Sequence, residues 1–253
     1  MFPVILHQDE NLIVINKPAG LVVHSDGKTI EPSVADWLLE NFPETKEVGE
    51  PWSLTGGKVI YRPGIVHRID RETSGVLVVA RNQKTFEFLK DQFQGREVKK
   101  IYNAFVYGEM KQDEGVINRP IARSKKDFRL WSAQRGARGA AREAITNFSV
   151  LEKGRDARSV AASYLEVRPE TGRTHQIRVH FKAINHPIVC DKLYAPKRPS
   201  ILGFSRLALH ARSLEFKTLE GELLKIEAPL PPDFEHAKLA LYGKDSKNLI
   251  HPE

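Results

Sequence analysis

His67-Arg-Ile-Asp-Arg-Glu-Thr-Ser-Gly-Val-Leu-Val-Val-Ala80 sets five charged or titratable side chains directly against an apolar run. Val76–Ala80 has no polar position on either face, which is the pattern of an interior strand covered on both sides. Ile65-Val66 on the other flank predicts a strand over 65–69. Asp70 is therefore expected at a turn on the rim of the core. A carboxylate there needs a cation or backbone donors to stay ionised, and Thr73, Ser74 and Gly75 suit a tight turn that supplies donors.

Working outward, Val4–Leu6, Leu12–Ile15 and Leu21–Val23 are short β-rich runs parted by Asp9-Glu-Asn11 and Lys17-Pro-Ala-Gly20, and they predict an opening strand meander. Pro32 and Ser33 introduce a helix over 34–42, and residues 43–64 read as a long loop. Phe86, Leu89 and Phe93 make the apolar stripe of a helix over 84–93. Strands are predicted at 101–107, 145–151, 161–167, 207–216 and 222–227. Helices are predicted at 175–184, with Thr174 as its N-cap, and at 234–241. The stretch 119–142 reads as an irregular excursion. Strands outnumber helices without alternating strictly, so the expected class is α+β, with a mixed, largely antiparallel sheet flanked by helices. One domain over 1–243 and a polar tail over 244–253 are expected.

Composition excludes several functions. The 253 residues carry 39 Lys and Arg against 32 Asp and Glu, a net charge of +7. The window Arg119–Arg142, with six Arg, two Lys and one acid, holds all of that excess. Such local positive charge is what a polyanion partner requires. A 41% hydrophobic and 28% charged composition is that of a globular chain rather than a disordered one. The single cysteine, Cys190, excludes an internal disulfide framework and any multi-cysteine zinc site. Neither a signal-type apolar region nor a run of about 18 apolar residues occurs, so a soluble, cytoplasmic monomer is expected.

A second charged segment, Gly172-Arg-Thr-His-Gln-Ile-Arg-Val-His-Phe181, sits on helical spacing, with Ile177, Phe181 and Ile184 facing the core. Arg178 lies beside that stripe, and a guanidinium at the edge of a core must find an anion because it cannot shed its charge. Asp70 is the candidate partner, and Arg173 is the alternative arginine for Asp70. The bland reading is a pair of structural ion pairs. His175 and His180 are five apart and cannot share a ligand face, and His67 with Asp70 does not complete a metal set. No phosphate-cradling glycine loop is present. Ser74, His67 and Asp70 are too close in one strand-turn to work as a relay. What survives is an ionised carboxylate beside an arginine, without metal or cofactor, suited to nucleophilic or general-base work on nucleic acid.

The stretch 67–80 resembles the signature of the RluA-type pseudouridine synthases. Four further stretches agree in order: Asn16-Lys-Pro-Ala-Gly-Leu-Val-Val-His24, Lys99-Lys-Ile-Tyr-Asn-Ala104, Thr171–His180 with His186-Pro-Ile188, and Arg206-Leu-Ala-Leu-His-Ala211. The resemblance covers roughly 4–230 and implies that family's catalytic-domain fold. It also implies isomerisation of uridine in structured ribosomal or transfer RNA to pseudouridine, without metal or cofactor. By motif position it makes Asp70 the essential carboxylate, Tyr102 the aromatic that stacks on the uracil, and Arg178 the arginine partnering the aspartate. Arg68 would fill the gap left by the flipped base. Arg71, Arg173, Arg135, Arg138 and Arg142 are the further candidates for RNA contact. Many members carry an S4-type domain before the core; here the core begins near Met1, so none is expected. Cys190 and Ala195 stand where glycines are common, and Lys217-Thr218 replaces a usual His-Pro. The competing expectations are a catalytically idle RNA-binding protein of the same fold and a metal-dependent nuclease.

Overall fold

The computed structural model describes every residue except Met1, Asp26, Lys28, Ile30, 54–58, Lys126, Phe128, Arg129, Arg135, Gly136 and 243–253. In chain order the elements are β1 (Val4–Gln8), β2 (Leu12–Lys17), α1 (Val34–Asn41), a 3-10 turn (Pro43–Glu47), β3 (Trp52–Ser53), β4 (Val59–Ile60), β5 (Ser74–Ala80) and α2 (Gln83–Gly95). Then come β6 (Lys99–Tyr107), β7 (Glu114–Asn118), β8 (Ile121–Arg123), β9 (Trp131–Ser132), β10 (Arg138–Arg142), β11 (Ile145–Arg155) and β12 (Ala161–Pro169). The chain closes with α3 (Gln176–Ala183), β13 (Leu209–Lys217), β14 (Leu223–Glu227) and α4 (Pro232–Tyr242). The class is α+β with largely antiparallel strands, as the sequence pattern predicts. The polar tail from Lys244 lies outside the described residues.

The chain divides into two compact units, each assembled from two stretches of sequence: Met1–Lys100 with Ala211–Pro229, and Ile101–His210 with Leu230–Glu253. In the first unit the strands run in the order β1-β2-β5-β13, with β14 on β13. Strand β5 is buried at all seven positions. It pairs with β2 from Leu12↔Ala80 to Lys17↔Gly75. Gly75 has φ +115, and a Cβ there would fall 2.1 Å from the Ala211 carbonyl oxygen, so the approach of β13 demands glycine. Leu12, Val14, Val76, Val78, Phe86 and Leu89 form the core of this unit with Leu214 and Phe216. Helix α1 starts on a capping box, in which Ser33 accepts from the Asp36 amide and the Asp36 side chain takes the Ser33 amide.

Two predicted strands of this unit do not form. Residues 21–23 make only a bridge, Val22↔Ser33, because the carbonyls of Val22 and Val23 accept from the Val34 and Ala35 amides at the start of α1. Residues 65–69 make only the bridge Ile65↔Val79. Both edges of β5 are already taken, by β2 and β13, and Gly64, at φ +62, kinks the chain away. The loop over 43–64 contains the 3-10 turn and the short β3–β4 hairpin.

In the second unit the order is β6-β12-β11-β7, and β10-β8-β9 form a small separate sheet. Phe105, Leu165, Phe181, Phe204 and Phe234 lie in its core. The stretch 119–142, expected to be irregular, therefore contains three short strands. Ile121 is buried with Ala144, Val179 and Tyr194, and Leu130 and Trp131 pack against them, which holds three strands too short to show a period. Helix α3 begins one residue later than expected, with His175 (φ +55) as N-cap in place of Thr174. Among the described residues no side chain caps α3; the Gln176 side chain instead ties its start to neighbouring chain, its Oε1 accepting from the Arg173 amide at 3.0 Å and its Nε2 donating to the Ile145 carbonyl at 3.0 Å.

Candidate active site

Asp70 belongs to the first unit, and Tyr102, Arg173 and Arg178 belong to the second. Asp70 is half-buried and opens a β-turn in which its carbonyl accepts from the Thr73 amide at 3.1 Å. Thr73 and Ser74 are buried at the entry to β5, so a fully packed strand fixes one end of the turn. The other end is pinned through Arg71. Its carbonyl accepts from the Gly20 amide at 2.9 Å and from Lys17 Nζ at 3.0 Å. Lys17 is fully buried, and its ammonium also donates to the carbonyls of Pro18 and Leu21 at 2.8 and 2.7 Å. A buried cation that three backbone carbonyls accept from ties two distant stretches of chain into one turn. Sequence reasoning missed Lys17, because a lysine before Pro-Ala-Gly reads as a solvated turn.

His67 is used structurally. Its Nε2 accepts the Val78 amide at 3.0 Å, and its ring stacks on Phe93 with centroids 4.5 Å apart. Burial, with Lys100 as a lesser influence, pushes its pKa down to about 3, so the ring stays neutral and able to accept. Arg68 is exposed, with Nη1 3.5 Å from His24 Nε2. Burial lowers the pKa of His24, and the charges of Arg62 and Arg68 lower it further. The exposed Arg71 side chain pairs with Glu31 at 2.7 Å.

In the second unit Tyr102 is a half-buried residue of β6, opposite Val167 and packed against the core. Arg178, 9% exposed, donates Nε and Nη2 to the two oxygens of Asp191, each at 2.8 Å. Asp191 is 1% exposed, and its Oδ1 also accepts the Leu193 and Tyr194 amides at 3.0 Å. The guanidinium lies over the Tyr194 ring, 5.0 Å from its centroid. Asp191, which the sequence reading did not name, thus supplies an anion to Arg178 within its own unit. Its signal was an acid directly after the apolar Ile188-Val-Cys190. The Tyr194 hydroxyl in turn meets His175 Nδ1 at 2.9 Å and accepts the Trp131 amide at 3.1 Å. His180 is fully buried between Thr146 Oγ1 and the Arg119 carbonyl, both at 2.9 Å.

Of the arginines expected to meet RNA, Arg138 and Arg142 are exposed on β10, and Arg142 and Arg173 line one recess in the second unit. Arg135 lies outside the described residues. Among the described residues, no three His, Cys, Asp or Glu cluster in a way that could hold a metal ion. Among the same residues, no helix is long and apolar enough to cross a membrane.

A model of the RNA pseudouridylate synthase family matches residues 11–183. An uncharacterised RNA pseudouridine synthase of Bacillus subtilis (strain 168) is 38% identical over 230 residues, covering 90% of this chain and 69% of its own. A ribosomal large subunit pseudouridine synthase D of Xanthomonas campestris pv. campestris is 38% identical over 249 residues, covering 94% of this chain and 69% of its own. Among solved structures, human RNA pseudouridylate synthase domain containing 4 superposes with a TM-score of 0.70 at 28% identity, covering 94% of this chain and 92% of its own.

Proposed function

The chain belongs to the RNA pseudouridylate synthase family, and from that premise we propose that it isomerises particular uridines of structured ribosomal or transfer RNA by flipping the nucleotide out and acting on it with Asp70. The observation that carries the reading is the Asp70 turn itself: a half-buried carboxylate on a turn locked by buried Lys17 and by β5. A glycosidic bond inside folded RNA is reached only after its nucleotide is extruded, at a cost of a few kcal/mol. Arg68, exposed two residues before Asp70, would occupy the vacated stack, and Tyr102 would hold the face of the uracil. Arg178, oriented by Asp191, would be the arginine that partners the carboxylate. Cleavage of C1′–N1, rotation of the base and closure of C1′–C5 leave the atom count unchanged. The proton lost from C5 passes to solvent and N1 gains one. The reaction is proposed for a cytoplasmic monomer that uses no metal or cofactor.

Relatives named for the large ribosomal subunit make that RNA the first substrate to try. The test is tritium release from RNA carrying 5-³H-uridine, with and without EDTA, followed by profiling of pseudouridine in cells lacking the protein. Release that survives EDTA, and a discrete site lost from the profile, are expected. No release from any cellular RNA would overturn the isomerase reading in favour of an idle RNA-binding protein. Release abolished by EDTA would indicate a metal.

A further inference from the structure

The small sheet β10-β8-β9 carries an arrangement that a solvated surface does not require. In register, Arg138 stands opposite Arg123, and Arg123 stands opposite Trp131. Directly opposed residues share a face of the sheet, so the row across it reads Arg, Arg, Trp. The Arg123 guanidinium lies over the Trp131 ring, 4.2 Å from its centroid. Arg138 and Arg142 are exposed, and neither guanidinium has a hydrogen-bond or ion-pair partner among the described residues.

Beside the row is a recess of about 90 Å³ lined by Ile121, Trp131, Arg142, Gly172, Arg173 and Thr174, without an acid. At roughly 10–15 Å³ for each water it has room for a phosphate group and more. Arg173 is steadied there by a bond from Nε to the Glu143 carbonyl at 2.9 Å. A Cβ at Gly172 would meet nothing within 4 Å, so that side of the recess is open. Two arginines suit a phosphodiester, and an arginine stacked on tryptophan offers a platform for the face of a base.

We propose that this row and recess form a second RNA site, which takes an unpaired nucleotide outside the target uridine. Its phosphodiester lies between Arg142 and Arg173, and its base lies against the Trp131–Arg123 stack. The choice of RNA as the polymer rests on the isomerase reading above. A duplex would offer phosphates but no free base face, so the aromatic platform favours an unpaired segment.

The test is fluorescence anisotropy with a labelled single-stranded hexauridylate, comparing the parent protein with Arg142→Gln, Trp131→Leu and, as a control for diffuse charge, Lys111→Gln. The first two variants should each weaken binding at least five-fold, and Arg142→Gln should lower the salt slope by about 0.7. Lys111→Gln should change neither. Because Arg142 is an exposed strand position, its variant carries the test even if Trp131→Leu folds poorly. Unchanged affinity in Arg142→Gln, an equal loss in Lys111→Gln, or competition by inorganic phosphate or a blunt duplex as effective as by the single strand would overturn the site. Tritium release measured in parallel separates the two readings. A parent that releases tritium while its variants bind normally loses only the second site, and binding losses in a parent that releases none leave the site standing without the isomerase.

Discussion

Replacing Asp191 by alanine removes the acceptor of four donors: Arg178 Nε and Nη2 at 2.8 Å, and the Leu193 and Tyr194 amides at 3.0 Å. Asp191 is 1% exposed and Arg178 9%, so water cannot take the carboxylate's place without rearrangement. Breaking a buried ion pair from one side costs about 3–5 kcal/mol, chiefly because the remaining charge loses its compensation. Set against a total stability of about 5–15 kcal/mol, that is a large share. At about 2–4 °C per kcal/mol for a chain of this size, it corresponds to a fall in melting temperature of roughly 6–20 °C. Thermal and urea unfolding followed by circular dichroism would measure it. Asp191→Asn keeps one carbonyl oxygen for the two amides and should cost about half as much. The double variant Asp191→Ala with Arg178→Met removes both charges, and should be more stable than Asp191→Ala alone by at least about 1.5 kcal/mol. A loss under about 1 kcal/mol in Asp191→Ala, or a double variant no better than the single one, would refute the reasoning.

Three further outcomes follow from the same geometry. Ser33→Ala removes one half of the capping box on α1 and should cost about 1 kcal/mol in urea unfolding. His67 is held neutral in the fold, with its pKa depressed to about 3, because Nε2 accepts from Val78. Its contribution is therefore fully present above the unfolded histidine value near 6.5 and is lost as pH falls from there toward 3, by up to about 1.4 kcal/mol per pH unit. His67→Gln should show a flatter decline between pH 6 and 4 than the parent, and parallel curves would contradict this. Gly75→Ala places a Cβ 2.1 Å from the Ala211 carbonyl oxygen at φ +115, and should either yield insoluble protein or lose several kcal/mol in unfolding.

Strand β5 could be read from the sequence because burial on both faces leaves a run of Val, Leu and Ala that few other environments accept. Helix α1 could be read because its cap is local, three residues from end to end. Residues 21–23 and 65–69 also carry β-favouring Val and Ile, yet their backbone bonds go to a helix start and to a single bridge. That outcome is set by which sheet edges are already filled, a long-range matter no local pattern records. The small sheet over 121–142 was missed because strands of two to five residues carry too few positions for alternation to show. At the candidate site, the need of Arg178 for an anion was legible, but Asp191 as a partner was not. Asp191 meets Arg178 through a loop whose course depends on Cys190 taking φ +57, which also explains why glycine suits that position. Lys17 was hidden because the three carbonyls that accept from it leave no mark in the sequence.

The assignment of Asp70 is tested most directly by tritium release from 5-³H-uridine RNA with the parent protein and Asp70→Asn, a variant that keeps the size of the side chain and the Asp70–Thr73 turn. The account predicts steady release by the parent. It predicts none above background from Asp70→Asn, which should still melt as the parent does and bind RNA with similar affinity. Release by a folded Asp70→Asn at the parent's rate would contradict it.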